Sequence, residues 1–189
     1  MAMRIALDGV GGQGVRVIAG VLGALLARMG KEVTVLFDYD SSVRGSMSDA
    51  FVIFDDAPIA NPVVEEADIL LKLADKGHLR IRGRKVVTDL GLGRPGDEQI
   101  PFATLGEQHF GKELFGNMIA LGRLLRLAGI EFDDLSIRES LPRRFQTQNV
   151  AAIRFGYDLT DADIGRLAAS APPSRFQMNA AATAEGHAR

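Results

Sequence analysis

The chain has no cysteine and only three histidines, so several kinds of chemistry are closed to it from the outset. Without cysteine it forms no disulfide, offers no thiolate nucleophile and ligates no iron–sulfur cluster through sulfur. His78, His109 and His187 stand far apart with no ligand spacing, so no metal site is expected. Charge of either sign is scarce in excess: 22 basic against 24 acidic residues leave a net charge of −2. That balance argues against nucleic acid or an acidic membrane surface as a partner. Long apolar runs are missing too. The longest, Val17 to Ala27, contains two glycines and is too short to cross a bilayer. Glycines and Asp8 interrupt any secretory core near the start, so a cytoplasmic protein is expected.

What the chain does have is 189 residues of ordinary globular composition, enough for one domain with a buried core. Its most informative stretch is Asp8-Gly9-Val10-Gly11-Gly12-Gln13-Gly14-Val15, with four glycines among the six residues from Gly9 to Gly14. Arg4-Ile5-Ala6-Leu7 before it reads as a buried strand, and Val15 to Met29 after it reads as a helix ending at Gly30. Gly9, Gly11 and Gly14 match the G-x-G-x-x-G spacing of nucleotide-binding turns in strand–turn–helix context. Glycine permits such a turn and lets an anion approach the helix N–H groups. A purely structural use, with glycines serving a tight turn and close helix–sheet packing, fits the same residues.

Glu32 to Phe37 reads as a second strand, completing a βαβ unit with Asp38 or Asp40 where a ribose-binding acid would sit. Ser48 to Phe54 follows too soon for a parallel crossover and is expected to run antiparallel, giving a mixed sheet. Ala67 to Leu73 and Lys85 to Asp89 are further strands, with the basic run His78 to Lys85 between them expected as a solvated connection. Gly91 to Ile100 reads as a surface loop. Helices are expected over Asn117 to Ala128, Phe132 to Phe145 and Thr147 to Leu159, the second starting near Asp133-Asp134. The fold class is therefore α/β: a three-layer Rossmann-like domain with a mostly parallel, mixed sheet and C-terminal helices. It is expected to occupy residues 1–169, with a flexible tail over 170–189, where Ala, Pro and Ser predominate.

Two further groups are candidate ligand contacts. Arg44, flanked by small residues in the polar loop from Tyr39 to Ser48, suits a phosphate or carboxylate, with Gly45 and Ser46 giving it room; an exposed turn arginine is the simpler alternative. Asn117, at the start of its helix, reads first as a cap. No acid–base pair or nucleophile arrangement is visible.

Gly9 to Gly14, Val43-Arg44-Gly45-Ser46 and the strand after it, Asn61-Pro62, and Glu66-Ala67-Asp68-Ile69-Leu70 occur in one order. With Asn117-Met118-Ile119-Ala120-Leu121-Gly122 and Asn149 to Tyr157 (ending Phe155-Gly156-Tyr157), they resemble the gamma subunit of the ferredoxin-dependent 2-oxoacid oxidoreductases. That family includes the pyruvate, 2-oxoisovalerate, 2-oxoglutarate and indolepyruvate enzymes. The resemblance runs roughly from Met3 to Asp158. The family usually has Arg-Gly-Gly where this chain has Arg44-Gly45-Ser46, so a serine Cβ stands where glycine is common.

The resemblance implies a non-catalytic subunit of an enzyme that converts a 2-oxoacid and coenzyme A to acyl-CoA, carbon dioxide and reduced ferredoxin. Thiamine diphosphate, Mg2+ and iron–sulfur clusters would lie on partner chains: alpha and beta subunits and a ferredoxin-like delta subunit or ferredoxin. This chain would assist assembly and position coenzyme A, with Gly11, Gly12, Gln13, Gly14, Arg44, Gly45, Ser46 and Asn117 as contacts for the coenzyme or its phosphates. Two other readings remain: a stand-alone NAD(P)-binding oxidoreductase or redox-sensing module, and a purely structural subunit.

Overall fold

The computed structural model describes residues 2–10, 12–39, 47–74 and 81–170. Gly11, Asp40, the Arg44-Gly45-Ser46 stretch, His78 and the tail over 171–189 lie outside the described residues.

Six strands form one sheet: β1 (Met3–Val10), β2 (Glu32–Tyr39), β3 (Met47–Asp55), β4 (Glu66–Lys72), β5 (Arg82–Asp89) and β6 (Glu98–Ile100), in the order β2-β3-β1-β4-β5-β6. β1, β4, β5 and β6 pair in parallel, whereas β3 is antiparallel to both β1 and β2. The sheet is therefore mixed for the reason the short β2–β3 connection suggested: too little chain separates those strands for a crossover. The expected βαβ unit needs one correction. β1 and β2 run parallel, but β3 lies between them, so they do not pair.

Helix α1 (Val15–Arg28) packs on the β1–β3 side of the sheet and α3 (Gly116–Leu127) on β4, both as an inner tier. α5 (Gln146–Asp158) lies outside α3 and makes the third layer. α2 (Phe102–Phe110), α4 (Asp134–Ser140) and α6 (Asp161–Ser170) complete the fold, with a 3-10 helix (Glu113–Phe115) leading into α3. One cluster of buried side chains joins the sheet to helical residues, among them Ile18, Leu22, Ile119 and Ile153. The other sheet face has only a small cluster, Ala6, Ala67 and Leu70, which no described helical residue joins.

Several sequence expectations change in detail. The basic run to Lys85 is not all connection, because Arg82 to Lys85 already belongs to β5 and Arg84 pairs with Glu66 across the strands. Gly91 to Ile100 is not all loop, since Glu98–Ile100 extends the sheet as its edge strand. The helix expected over Phe132 to Phe145 spans only Asp134–Ser140; Leu141 turns extended (ψ 148°) ahead of Pro142. Its start is as expected, with Asp133 accepting from the Leu135 and Ser136 N–H groups. α2 and α6 have no counterpart in the sequence reading.

α3 is buried along nearly its whole length, and two glycines let α5 lie against it. A Cβ on Gly122 would stand 2.0 Å from the Ile153 carbonyl oxygen, and one on Gly156 would stand 2.0 Å from that of Ile119. Both obstacles are backbone, which cannot swing aside. Arg123, 4% exposed, anchors the same helix from its other side. Its Nε and Nη2 donate to the two carboxylate oxygens of Glu98 at 2.6 and 2.9 Å, and its Nη1 donates to the Leu159 carbonyl at 2.7 Å. One guanidinium thus ties α3 to β6 and to the end of α5.

At the end of β5, Asp89 Oδ1 accepts from the Leu90 N–H at 2.9 Å and the Phe102 N–H at 3.1 Å, supplying the cap that Pro101 cannot give α2. Burial outweighs those two donors and pushes the Asp89 carboxyl up to about 6.

Two outcomes are expected. Gly156→Ala forces the α3 and α5 backbones apart and lowers stability by about 3 kcal/mol, measured by chemical denaturation; a loss below about 0.5 kcal/mol would mean the helices do not touch through backbone. For Asp89, a folded value above the unfolded one means its contribution to stability is full below pH 3.8 and is lost as pH rises from there through about 6. Asp89→Asn keeps the accepting oxygen without the charge, so the melting temperature of the variant should gain on the parent between pH 4.5 and 7.5. A difference that does not change with pH contradicts this.

Candidate functional site at the junction of three helix starts

The glycine turn carries β1 into α1 with the backbone angles that side chains resist. Gly12 has φ +97° and Gly14, the residue that caps α1, has φ +76°. The Gly14 carbonyl accepts from Val17 and Ile18, and no side chain caps the helix. The N–H groups ahead of Val17 in this first turn have no acceptor within the helix, which makes this end attractive to an anion. Gln13, an expected ligand contact, is used within the fold. Its Oε1 accepts from the Val10 N–H at 2.9 Å and its Nε2 donates to the Leu73 carbonyl at 2.8 Å, stapling the ends of β1 and β4.

Asn117 is the second residue of α3 and does not cap it; Phe115 holds the cap position, with no side-chain bond. The asparagine instead lies against the glycine turn. Gly14 takes a φ that favours glycine, and a Cβ on it would stand 2.1 Å from Asn117 Nδ2, so the missing side chain also leaves room for the Asn117 amide. The structure thus brings Gly12, Gln13, Gly14 and Asn117 together. Gly11, Arg44, Gly45 and Ser46 lie outside the described residues, although Ser48, shortly after them in sequence, lines the same cavity.

That cavity, about 620 Å³, opens where the first turns of α1, α3 and α5 meet, a size typical of small-ligand sites. Val15, Val17, Leu114, Met118 and Phe145 give it apolar walls. Arg16, Lys112 and Arg144 supply its charge, and the lining includes no carboxylate among the described residues. A smaller cavity of about 340 Å³ shares Gly12, Leu114 and Asn117 with it and has the opposite character, lined by Asp89 and Glu113.

Sequence reasoning missed Lys112, Arg144 and Phe145. They come from the α2–α3 junction and the start of α5, isolated in sequence from the glycine turn, and only the helix packing brings them to it. Arg16 was within reach, since it follows the turn by two residues; its guanidinium carbon lies 5.2 Å from the Phe37 ring centroid. The ribose-acid expectation for Asp38 fails on topology. Asp38 is next to last in β2, which β3 separates from β1, putting it two strand spacings, about 10 Å, from the strand that carries the glycine turn.

Comparison with known proteins agrees with this fold. Residues 4–159 match the family described as pyruvate ferredoxin/flavodoxin oxidoreductase. The chain is 30% identical over 169 residues to the 2-oxoglutarate synthase subunit KorC of Archaeoglobus fulgidus, covering 83% of this chain and 87% of that one. It is 28% identical to the KorC subunit of Methanocaldococcus jannaschii, covering 84% of this chain and 94% of that one. The fold is similar to that of the keto/oxoacid ferredoxin oxidoreductase gamma subunit from Geobacter sulfurreducens, with TM-score 0.67 and 19% identity over 88% of this chain and 98% of that one. Pyruvate oxidoreductase subunit PORC from Thermotoga maritima has the same fold, with TM-score 0.64 and 19% identity over 83% of this chain and 96% of that one. The match across nearly the whole described domain, in sequence and in fold, establishes that this chain belongs to the pyruvate ferredoxin/flavodoxin oxidoreductase family.

Proposed function

We propose that this chain is the gamma-type subunit of a 2-oxoacid:ferredoxin oxidoreductase and that it positions coenzyme A for the catalytic chains. The observation that carries the coenzyme reading is the cavity's charge. A protein of net charge −2 has Arg16, Lys112 and Arg144 around one cavity with no described acid in its lining, beside an uncapped helix start. Such a field suits a ligand bearing several phosphates, and the apolar walls suit the uncharged remainder. Coenzyme A has both parts, and its thiol is the group that accepts the acyl product. KorC relatives are named for 2-oxoglutarate, which makes that acid the first substrate to try.

In this reading the chain's residues bind and orient; bond-making belongs to partner chains that hold thiamine diphosphate and iron–sulfur clusters. The α1 first turn and the Gly12–Gly14 backbone receive phosphate oxygens. Asn117, where the two cavities meet, holds α3 against the turn and presents its amide to the ligand.

The test uses the complex purified gently from its own cells through a tag on this chain. Thiamine diphosphate, iron and coenzyme A-dependent 2-oxoacid oxidation should co-elute. In that complex, Asn117→Asp adds a negative charge that α1's start tolerates but a phosphate does not. The KM for coenzyme A should rise by about tenfold, equivalent to about 1.4 kcal/mol. An unchanged KM in an intact complex, or recovery of the chain without those cofactors, overturns the proposal.

A further inference from the structure

We infer that Lys112, Arg144 and Phe145 form a second phosphate subsite in this cavity, one that distinguishes coenzyme A from its 3′-dephospho form. The inference rests on the coenzyme A reading above and assigns the chain's selectivity for the coenzyme to three residues outside the glycine turn.

Several basic residues of this fold are neutralised by carboxylates. Arg28 pairs with Glu139, Lys31 with Asp56, Arg123 with Glu98 and Arg154 with Asp134. Lys112 and Arg144 form no ion pair with a carboxylate among the described residues. Both converge on one aromatic ring instead: Lys112 Nζ lies 4.4 Å from the Phe145 centroid and Arg144 Cζ lies 4.7 Å from it. A ring face attracts a cation without taking its N–H donors, so the donors stay available to an oxyanion.

Phe145 is held there at a cost. It is the one non-glycine residue with positive φ among those described, at +57°, a conformation disfavoured by about 1–2 kcal/mol. The ring meets Phe115 edge-on at 5.9 Å, which fixes its position. The same twist starts α5, which has no side-chain cap, and its cap residue Phe145 and Asn149 line the cavity with the two cations. Two cations, a helix start and an aromatic edge together match a phosphomonoester dianion attached beside a heteroaromatic base. Coenzyme A has one such group, the 3′-phosphate next to adenine. Its pyrophosphate is a separate anionic centre, which the glycine turn takes. A ligand with a single anionic centre engages only one of these two subsites.

The test measures kcat/KM for coenzyme A and for dephospho-coenzyme A in the purified complex. The parent should prefer coenzyme A by at least about tenfold. Lys112→Gln and Arg144→Gln should each reduce that ratio by about threefold to tenfold, and the double variant should bring it near one. Lys112→Arg, which keeps the charge, should retain most of the preference. Melting temperature checks that the variants fold, as both side chains are exposed. A ratio that does not move, whether both coenzymes lose equally or neither loses, overturns the subsite. Equal losses with Asn117→Asp still raising KM would leave coenzyme A in the cavity without this selectivity. No response from any of the variants would remove the coenzyme reading as well.

Discussion

The backbone contact between α3 and α5 at Gly122 and Gly156 is the constraint on which the rest depends. With no Cβ on either side, the helices approach until each glycine lies against the other helix's carbonyl. That distance decides where α5 begins. Its cap residue, Phe145, comes to the start of α3, and α3 in turn meets the start of α1 through Asn117 and Gly14. A bulkier crossing would shift α5 outward and open the cavity. The packing that stabilises the domain and the geometry of the candidate site are therefore one arrangement. Arg123 reinforces it from the far side, where its bidentate pair with Glu98 and its bond to Leu159 hold α3 against β6 and the end of α5. A buried pair of this kind is weak as a source of net stability and strong as a specifier of geometry, since losing either partner strands a charge.

Charge is distributed unevenly over this framework. Some carboxylates cap helix starts, as Asp133 does for α4 and Asp89 for α2, and others pair with cations, as Glu98 does with the buried Arg123. Around the larger cavity, the first turns of α1 and α5 have no side-chain cap, and arginine and lysine stand beside them. Leaving helix starts without caps forgoes about 1 kcal/mol each. The cavity combines two such starts with three basic residues, and an anionic ligand is what this combination suits.

The sequence disclosed the parts of this structure whose causes are local. The glycine turn, the apolar α1 and the antiparallel course of β3 were legible because turn chemistry, periodicity and connection length each leave a mark within a few residues. The motif pieces from Asn117 to Gly122 and from Asn149 to Tyr157 were legible as a resemblance, and the fold supplies their physical reason in Gly122, Gly156 and Asn117. β6 was missed because three residues inside a Gly- and Pro-rich stretch are too few to show alternation. α2 was missed because its cap, Asp89, lies thirteen residues upstream rather than beside its first turn. The length expected of α4 ignored Pro142. The cations of the cavity left no local signal at all: Lys112 and Arg144 become neighbours only when both approach Phe145. Asp38 misled for the related reason that sequence order does not show which strand lies beside β1.

The most direct test of the central claim is the structure of the assembled complex with coenzyme A bound, determined by electron microscopy. The account predicts density for the nucleotide end of the coenzyme inside the cavity between α1 and α5, with the pyrophosphate at Gly12–Gly14 and the 3′-phosphate against Lys112 and Arg144. Coenzyme A held wholly by other chains, with this cavity turned away from it, would contradict the account.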